Sequence, residues 1–228
     1  MSPADEFVRN DSHAGSWYNK ETMLDTVTVT PLYNLKVDTE IVKKLSENTN
    51  IFESVEPSND EDEHSIEMQL PYLAQVFSEH ESVKFVPIIV GSVKPIAKEI
   101  ALALSEYFDR PDCLFVISSD FCHWGSRFRY TPHSANVPIH QFIKTMDLEG
   151  VKLIENFDSA GFEQYIDRTE NTICGRFPIM LLLALTDLRK NGYVSEFLRY
   201  EQSSAVVSMK DSSVSYVSTS VYVKSGPQ

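Results

Sequence analysis

An apolar, β-prone run that ends abruptly in polar residues most constrains how this chain can fold. Residues 114–117 read Leu-Phe-Val-Ile, and Ser118-Ser119-Asp120-Phe121-Cys122-His123-Trp124-Gly125 follow directly. In an open α/β sheet, ligands bind just beyond the carboxyl ends of the strands. The run therefore predicts a buried strand over residues 113–118 that delivers a carboxylate, a thiol and an imidazole to such a place.

Hydrophobic periodicity elsewhere predicts strands that alternate with helices, which is typical of the α/β class. Helices are predicted over residues 38–45, 66–77, 95–108, 139–157, 160–168 and 174–190, and strands over 26–30, 83–90, 113–118, 193–200 and 214–223. Pro71 is expected to kink or delay the second helix, and Gly150 to interrupt the fourth. With no internal repeat or linker in the sequence, a single domain over residues 1–228 is expected.

The composition excludes several classes of protein. A hydrophobic content of 42 % in 228 residues is enough for a sizeable core, whereas a formal net charge of −13 argues against nucleic acid or an anionic membrane as the main partner. No apolar stretch approaches the ~20 residues of a membrane span. The three cysteines form no CxxC pair, which favours a reduced cytosolic setting.

Asp120 and His123 are the first candidate site residues, because both leave the end of the predicted strand for a loop. Both residue types bind Fe, Cu or Zn, and both carry out acid–base chemistry. The alternative is that Asp120 caps the next turn and His123 packs against Trp124. The sequence contains no Walker loop, GxGxxG, GxSxG or HExxH motif, so the usual signals of nucleotide-phosphate chemistry and of triad hydrolysis are missing.

Cys174 is the second candidate, because it stands at the start of a predicted helix. The positive end of a helix favours a thiolate, which could bind a metal or take part in redox chemistry. The commoner alternative is a small buried hydrophobic side chain. Arg127 and Arg129, interleaved with Phe128 and Tyr130, could bind a phosphorylated ligand through guanidinium–phosphate pairs, or they could form a solvated basic loop.

Several blocks of the sequence, taken together and in order, resemble the Memo family of mediators of receptor-tyrosine-kinase-driven cell motility. The resemblance runs from residue 12 to about residue 223. It rests on Ser12-His13-Ala14-Gly15-Ser16-Trp17-Tyr18, Thr30-Pro31-Leu32-Tyr33, Asp60-Glu61-Asp62-Glu63-His64-Ser65-Ile66-Glu67-Met68, residues 118–125 with Arg127-Phe128-Arg129-Tyr130, Asn171-Thr172-Ile173-Cys174-Gly175-Arg176, Gln202-Ser203-Ser204 and Asp211-Ser212-Ser213-Val214-Ser215-Tyr216.

The resemblance implies a class III extradiol dioxygenase-like fold, in which helices flank a central mixed sheet. It implies a non-enzymatic regulator of motility and the cytoskeleton that binds receptor phosphotyrosine peptides and Rho or actin signalling proteins in the cytoplasm, with the nucleus as a second location. The implied cleft residues are Trp17, Asp120, His123, Arg127 and Arg129. The alternatives are a copper- or iron-dependent oxidoreductase, with Cys174, His123 and Asp120 at the metal, and an inactive truncated isoform.

The sequence departs from the family pattern in its N-terminal part. Family members carry a long segment between the Ser-Trp-Tyr block and the Thr-Pro-Leu-Tyr block, and that segment supplies two cleft histidines. Here only residues 19–29 separate Tyr18 from Thr30. The fold is therefore expected to be incomplete, with unpaired strand edges, and two of the family's metal ligands are expected to be missing.

Overall fold

The architecture was analysed in a computed structural model, which describes residues 15–17, 27–28, 35–54, 64–80, 82–94, 96–189 and 192–224. The chain divides into two compact units, residues 1–103 and 104–228. Helices and small sheets alternate along both units, so the predicted α/β class is confirmed. The single-domain organisation and the position of the missing segment stay predictions.

The first unit contains two small mixed sheets within its described part. Strands β1 (Gly15–Trp17), β4 (Phe52–Ser54) and β6 (Ile88–Val90) form one of them, with β1 in the middle, parallel to β4 and antiparallel to β6. Strands β2 (Val27–Thr28), β3 (Leu35–Val37) and β5 (Lys84–Phe85) form the other. The predicted strand over residues 83–90 is therefore two short strands that belong to different sheets.

Three helices of the first unit follow the signals in the sequence. Helix α1 (Thr39–Ser46) begins after Asp38, whose carboxylate accepts a hydrogen bond from the Ile41 amide at 3.2 Å. Helices α2 (His64–Glu67) and α3 (Leu70–Val76) replace the single predicted helix, and Pro71 lies in the first turn of α3, as its missing amide hydrogen requires. Leu35, Leu70 and Ala74 form a buried cluster.

Helix α4 (Ala97–Phe108) contains the boundary between the two units. The second unit then continues with β7 (His123–Trp124), α5 (Ile139–Glu155), α6 (Ser159–Thr169), α7 (Arg176–Asp187), β8 (Tyr193–Gln202) and β9 (Ser213–Val223). Strands β8 and β9 form the predicted antiparallel hairpin, and β7 pairs with the start of β9. None of the described helices has both the length and the apolarity that crossing a bilayer requires.

The predicted strand over residues 113–118 is wrong. This segment has no strand structure, and Leu114 and Val116 are 70 % and 46 % exposed. A strand needs a neighbour to pair with its backbone, and no backbone hydrogen bond joins residues 114–117 to another described residue. The described strands form three small sheets.

Gly150 does not interrupt its helix, contrary to expectation. It lies inside α5 on the buried face, where the ring of Tyr165 from α6 packs against it. A Cβ at this position would stand 2.8 Å from Cε1 of that ring. The glycine therefore allows two helices to approach closely rather than ending one of them.

Candidate functional site

Two segments of the second unit meet at the predicted site residues: residues 119–124 and residues 171–175. The His123 amide donates a hydrogen bond to Oγ1 of Thr172 at 2.7 Å, and the Thr172 hydroxyl donates back to the His123 carbonyl at 3.0 Å. Pairing of β7 with β9 fixes the first segment, because His123 lies opposite Val214. The backbone around His123 is therefore held from both sides.

The imidazole of His123 faces a hydrogen-bond acceptor at each of its ring nitrogens. Nδ1 lies 3.0 Å from the Thr172 carbonyl oxygen, and Nε2 lies 3.6 Å from Oδ2 of Asp120. Two acceptors favour the doubly protonated ring. The Asp120 carboxylate and then the Thr172 carbonyl accordingly raise the pKa of His123, against an opposing effect of burial. The structure thus brings the Asp120 carboxylate and the His123 imidazole together.

Cys174 joins the same two segments through its sulfur. The Asp120 amide donates to Sγ of Cys174 at 3.0 Å. Ser119 precedes Asp120 and Gly175 follows Cys174, and the Gly175 amide donates to Oγ of Ser119 at 3.0 Å. A Cβ on Gly175 would stand 2.3 Å from the Ser119 side chain, so only glycine allows this approach.

The surroundings of the Cys174 sulfur act against a thiolate. Although the residue as a whole is exposed, desolvation of its sulfur raises the pKa of the thiol, and the Asp120 charge raises it further. The Asp120 amide opposes this effect without overcoming it. Helix α7 also begins at Arg176, two residues after Cys174. The Gly175 amide at this helix start also lowers the pKa of the thiol, and desolvation still outweighs it.

Arg127 and Phe128 extend the site from His123 into solvent. They lie in a 3-10 turn (Ser126–Phe128) that follows Gly125, whose φ of 134° requires glycine. The Arg127 guanidinium carbon lies 4.4 Å from the Phe128 ring centroid, and the Phe128 and His123 rings meet edge to face at 5.2 Å. We call these three side chains the Arg127–Phe128–His123 row. Its outer end is a solvent-exposed cation.

Arg129 and Trp17 are not brought into this row by the described contacts. Arg129 ends the 3-10 turn in the left-handed conformation, with φ of 54°, and is exposed. Trp17 is the last residue of β1, and its side chain lies outside the described part of the structure. Both residues stay predicted contacts.

Cys174, His123 and Asp120 are the predicted metal ligands. A catalytic metal usually takes three protein ligands, and within the described ranges no group of three or more His, Cys, Asp or Glu side chains could hold one. In addition, both ring nitrogens of His123 face protein acceptors. The described residues alone therefore do not fit copper or iron, and binding through Cys174, His123 and Asp120 stays a prediction.

Sequence reasoning missed a buried polar network beneath the site. Asp147 of α5 is fully buried, and its carboxylate accepts hydrogen bonds from Asn171 and Tyr200, each at 2.9 Å. Burial raises the pKa of this carboxyl, and its hydrogen bonds oppose the rise. A signal was present, because Asp147 stands four residues after Ile143 and four before Val151, on the apolar face of the helix.

Comparisons with known proteins agree on one family. Residues 12–220 match the family model described as "Memo-like protein". Among curated proteins, "Protein MEMO1" of Xenopus laevis is 44 % identical over 208 residues, which cover 88 % of this chain and 70 % of that protein. "Protein MEMO1" of Homo sapiens is 42 % identical over 200 residues, covering 85 % and 67 %. "Protein memo-1 homolog" of Caenorhabditis elegans is 41 % identical over 201 residues, covering 85 % and 57 %.

Proposed function

This chain belongs to the Memo-like family, and from that premise we propose that it is a non-enzymatic signalling protein that binds phosphotyrosine peptides. The observation that carries the proposal is the Arg127–Phe128–His123 row. A guanidinium pairs with phosphate through charge-assisted hydrogen bonds, and an aromatic ring packs against another ring at its edge or face. The row offers both chemistries on neighbouring side chains.

The charges of the row assign the phosphate contact to Arg127. When His123 is protonated, the Asp120 carboxylate lies beside its charge, whereas the Arg127 guanidinium is exposed and stacks on the neutral Phe128 ring. The chain as a whole carries a formal charge of −13, so a phosphopeptide needs such a local cation to approach. We infer that Arg127 binds the phosphate and that Phe128 lies beside the tyrosine ring.

The surroundings of His123 support a binding role over a catalytic one. A general base must reach a substrate proton with a free nitrogen. Here Nδ1 faces the Thr172 carbonyl and Nε2 faces Asp120. The imidazole therefore acts as a fixed part of the wall against which Phe128 packs.

A peptide titration tests the proposal. A hydrogen bond to a charged group contributes about 1.5–3 kcal/mol, so Arg127→Ala is expected to raise the Kd of a phosphotyrosine peptide roughly 10- to 100-fold. Isothermal titration calorimetry with the unphosphorylated peptide should show the same weak binding to both proteins. Arg199→Ala is the matched control, because Arg199 is an exposed arginine paired with Glu201 outside the row.

Equal affinity for the phosphorylated and unphosphorylated peptides would contradict the proposal, as would an Arg127→Ala effect no larger than that of Arg199→Ala. Arg129→Ala and Trp17→Ala in the same titration test the two remaining predicted contacts. A loss of affinity in either variant would extend the binding surface beyond the row.

For the cellular role, we propose regulation of motility and the cytoskeleton downstream of receptor tyrosine kinases, in the cytoplasm. Membership of the family whose curated members are named MEMO1 supports this role. The expected partners are phosphorylated receptor tails together with Rho or actin signalling proteins. Affinity capture from cells, with the Arg127→Ala variant as control, should retain these partners on the unchanged protein alone. If both forms retain the same proteins, the cellular partners do not bind through the Arg127–Phe128–His123 row.

We also propose that this chain has the fold of the class III extradiol dioxygenases. The α/β class and the mixed parallel and antiparallel pairing of the described strands support it. An experimental structure of this chain, compared with a dioxygenase of that class, is the test. A different order of strands around the site would overturn this part of the proposal.

A further inference from the structure

Asp147 lies where a carboxylate is costly. It is fully buried in the middle of α5, on a face otherwise formed by Ile143, Met146, Gly150, Val151 and Ile154. A buried charge is tolerated only when hydrogen bonds satisfy it. The two oxygens of Asp147 have different partners, and these partners lead to the two segments that meet at the site.

The first oxygen holds the segment of residues 171–175. Asn171 donates from Nδ2 to Oδ1 of Asp147 at 2.9 Å and to the Tyr165 hydroxyl at 2.7 Å. The next residue, Thr172, bonds both the backbone and the imidazole of His123. The residue that bonds Asp147 and the residue that orients the His123 ring are therefore neighbours in the sequence.

The second oxygen holds the segment of residues 119–124. The Tyr200 hydroxyl donates to Oδ2 of Asp147 at 2.9 Å and lies 3.1 Å from Oγ of Ser215. The backbone of Ser215 accepts from the Phe121 amide at 2.8 Å and donates to the Cys122 carbonyl at 2.9 Å. These two residues lie between Asp120 and His123 in the sequence.

The amide of Asn171 indicates that its donor function matters. Its oxygen Oδ1 is buried and has no hydrogen-bond partner. An unsatisfied buried polar atom destabilises the folded state. Asn171 nevertheless directs its nitrogen at Asp147 and Tyr165. This orientation is the one expected of a side chain whose role is to donate a hydrogen bond to the carboxylate.

We propose that Asp147 is a positioning residue that fixes the separation of the two segments forming the Asp120–His123–Cys174 site. One carboxylate can do this because each oxygen accepts a hydrogen bond from a different side of the site. The inference rests on the proposed function only for its effect on peptide affinity. Its effect on the contacts between the segments can be measured without any ligand.

Amide hydrogen exchange provides that ligand-free measurement. Three amides donate across the boundary between the segments: His123 to Thr172, Asp120 to Cys174 and Gly175 to Ser119. In Asp147→Asn, these amides are expected to exchange at least roughly tenfold faster relative to the slowest amides of α5, because local opening then precedes global unfolding.

Tyr200→Phe is the second variant, and it removes one hydroxyl while it leaves the ring in place. Ile143→Val is the matched control, because Ile143 is fully buried on the same helix one turn earlier and has no polar contact to the site. Both site variants should also weaken binding of the phosphotyrosine peptide, by roughly tenfold, whereas Ile143→Val should not.

In each variant, the change in exchange at the three amides is compared with the change in global stability. If the two changes match in every variant, the proposal is overturned and Asp147 is a purely structural residue. Should Asp147→Asn fail to fold, the comparison of Tyr200→Phe with Ile143→Val decides alone. If the unchanged protein binds no phosphopeptide, the proposed function fails, while the exchange data still decide whether Asp147 positions the segments.

Discussion

At the scale of single residues, surroundings rather than residue type decide what each candidate side chain can do. His123 faces an acceptor at both nitrogens, so it is held as a donor. Cys174 is held as a thiol, because desolvation of its sulfur outweighs the hydrogen bond from the Asp120 amide. Arg127 alone among the described residues of the row presents an uncompensated charge to solvent, which is why the phosphate contact is assigned to it.

Asp147 gives a pH-dependent prediction at the same scale. Burial raises its pKa in the folded protein above the ordinary value of about 3.9, so the folded state binds the proton more tightly than the unfolded state. This contribution to stability is fully present below about pH 3.9 and is lost as pH rises through the folded-state pKa.

The free energy of unfolding of the unchanged protein should therefore fall, relative to that of Asp147→Asn, as pH increases above about 4. Urea unfolding of both proteins at a series of pH values measures this difference. Parallel curves across the range would mean that Asp147 titrates alike in the folded and unfolded chains.

At the scale of secondary structure, helices α5 and α6 approach each other closely at Gly150 and Tyr165. The sequence pattern did not predict this contact. In the sequence, Gly150 predicts a break in the helix, but in the structure its lack of a side chain allows the Tyr165 ring to pack against α5. The hydroxyl of this tyrosine in turn donates to the Met146 carbonyl at 3.0 Å and accepts from Asn171. The packing of two helices and the polar network below the site therefore share one residue.

Gly150→Ala sets two effects against each other. Alanine gains about 1 kcal/mol of helix propensity, whereas overpacking costs about 1–3 kcal/mol. The Cβ would lie 2.8 Å from a ring that is itself fully buried and cannot move aside, so we expect a net loss of stability. Urea denaturation measures it, with Thr145→Ala at an exposed position of α5 as control. A stabilised Gly150→Ala variant, matching the control, would show that the ring can shift.

The regular elements were predictable to different degrees for physical reasons. Helices α1, α5, α6 and α7 follow from their own periodicity, because helical hydrogen bonds lie within the segment, and Asp38 and Asp158 cap α1 and α6. The hairpin of β8 and β9 was predictable because its strands are close in sequence. Residues 113–118 have the composition of a strand, but a strand exists only where a neighbouring strand pairs with it. No local signal reports whether that neighbour is present.

At the scale of the whole molecule, the exposed residues Leu114 and Val116 make self-association the main expected hazard. An unpaired apolar segment with high β-propensity is a template for association. The net charge of −13 opposes contact between copies, and salt screens this repulsion. The apparent mass of the protein is therefore expected to rise with protein and salt concentration.

Leu114→Lys should reduce this association, because it places a charge on the exposed apolar segment. Val207→Lys is the matched control, since Val207 is 77 % exposed in a loop and the charge change is the same. Sedimentation velocity at low and high salt compares the three proteins. Equal reduction by both variants would assign the effect to net charge, and a monomer under all conditions would contradict the expectation.

The sequence by itself determined the α/β class, most helix positions, the C-terminal hairpin and the family, because these depend on local periodicity, on caps such as Asp38 and on ordered motifs. It also singled out Asp120, His123 and Arg127. Only the tertiary structure decided that residues 113–118 lack strand structure, that desolvation raises the pKa of the Cys174 thiol and that Asp147 lies beneath the site. These properties arise from pairing, desolvation and hydrogen bonds between segments distant in sequence, such as Asp147 and Tyr200.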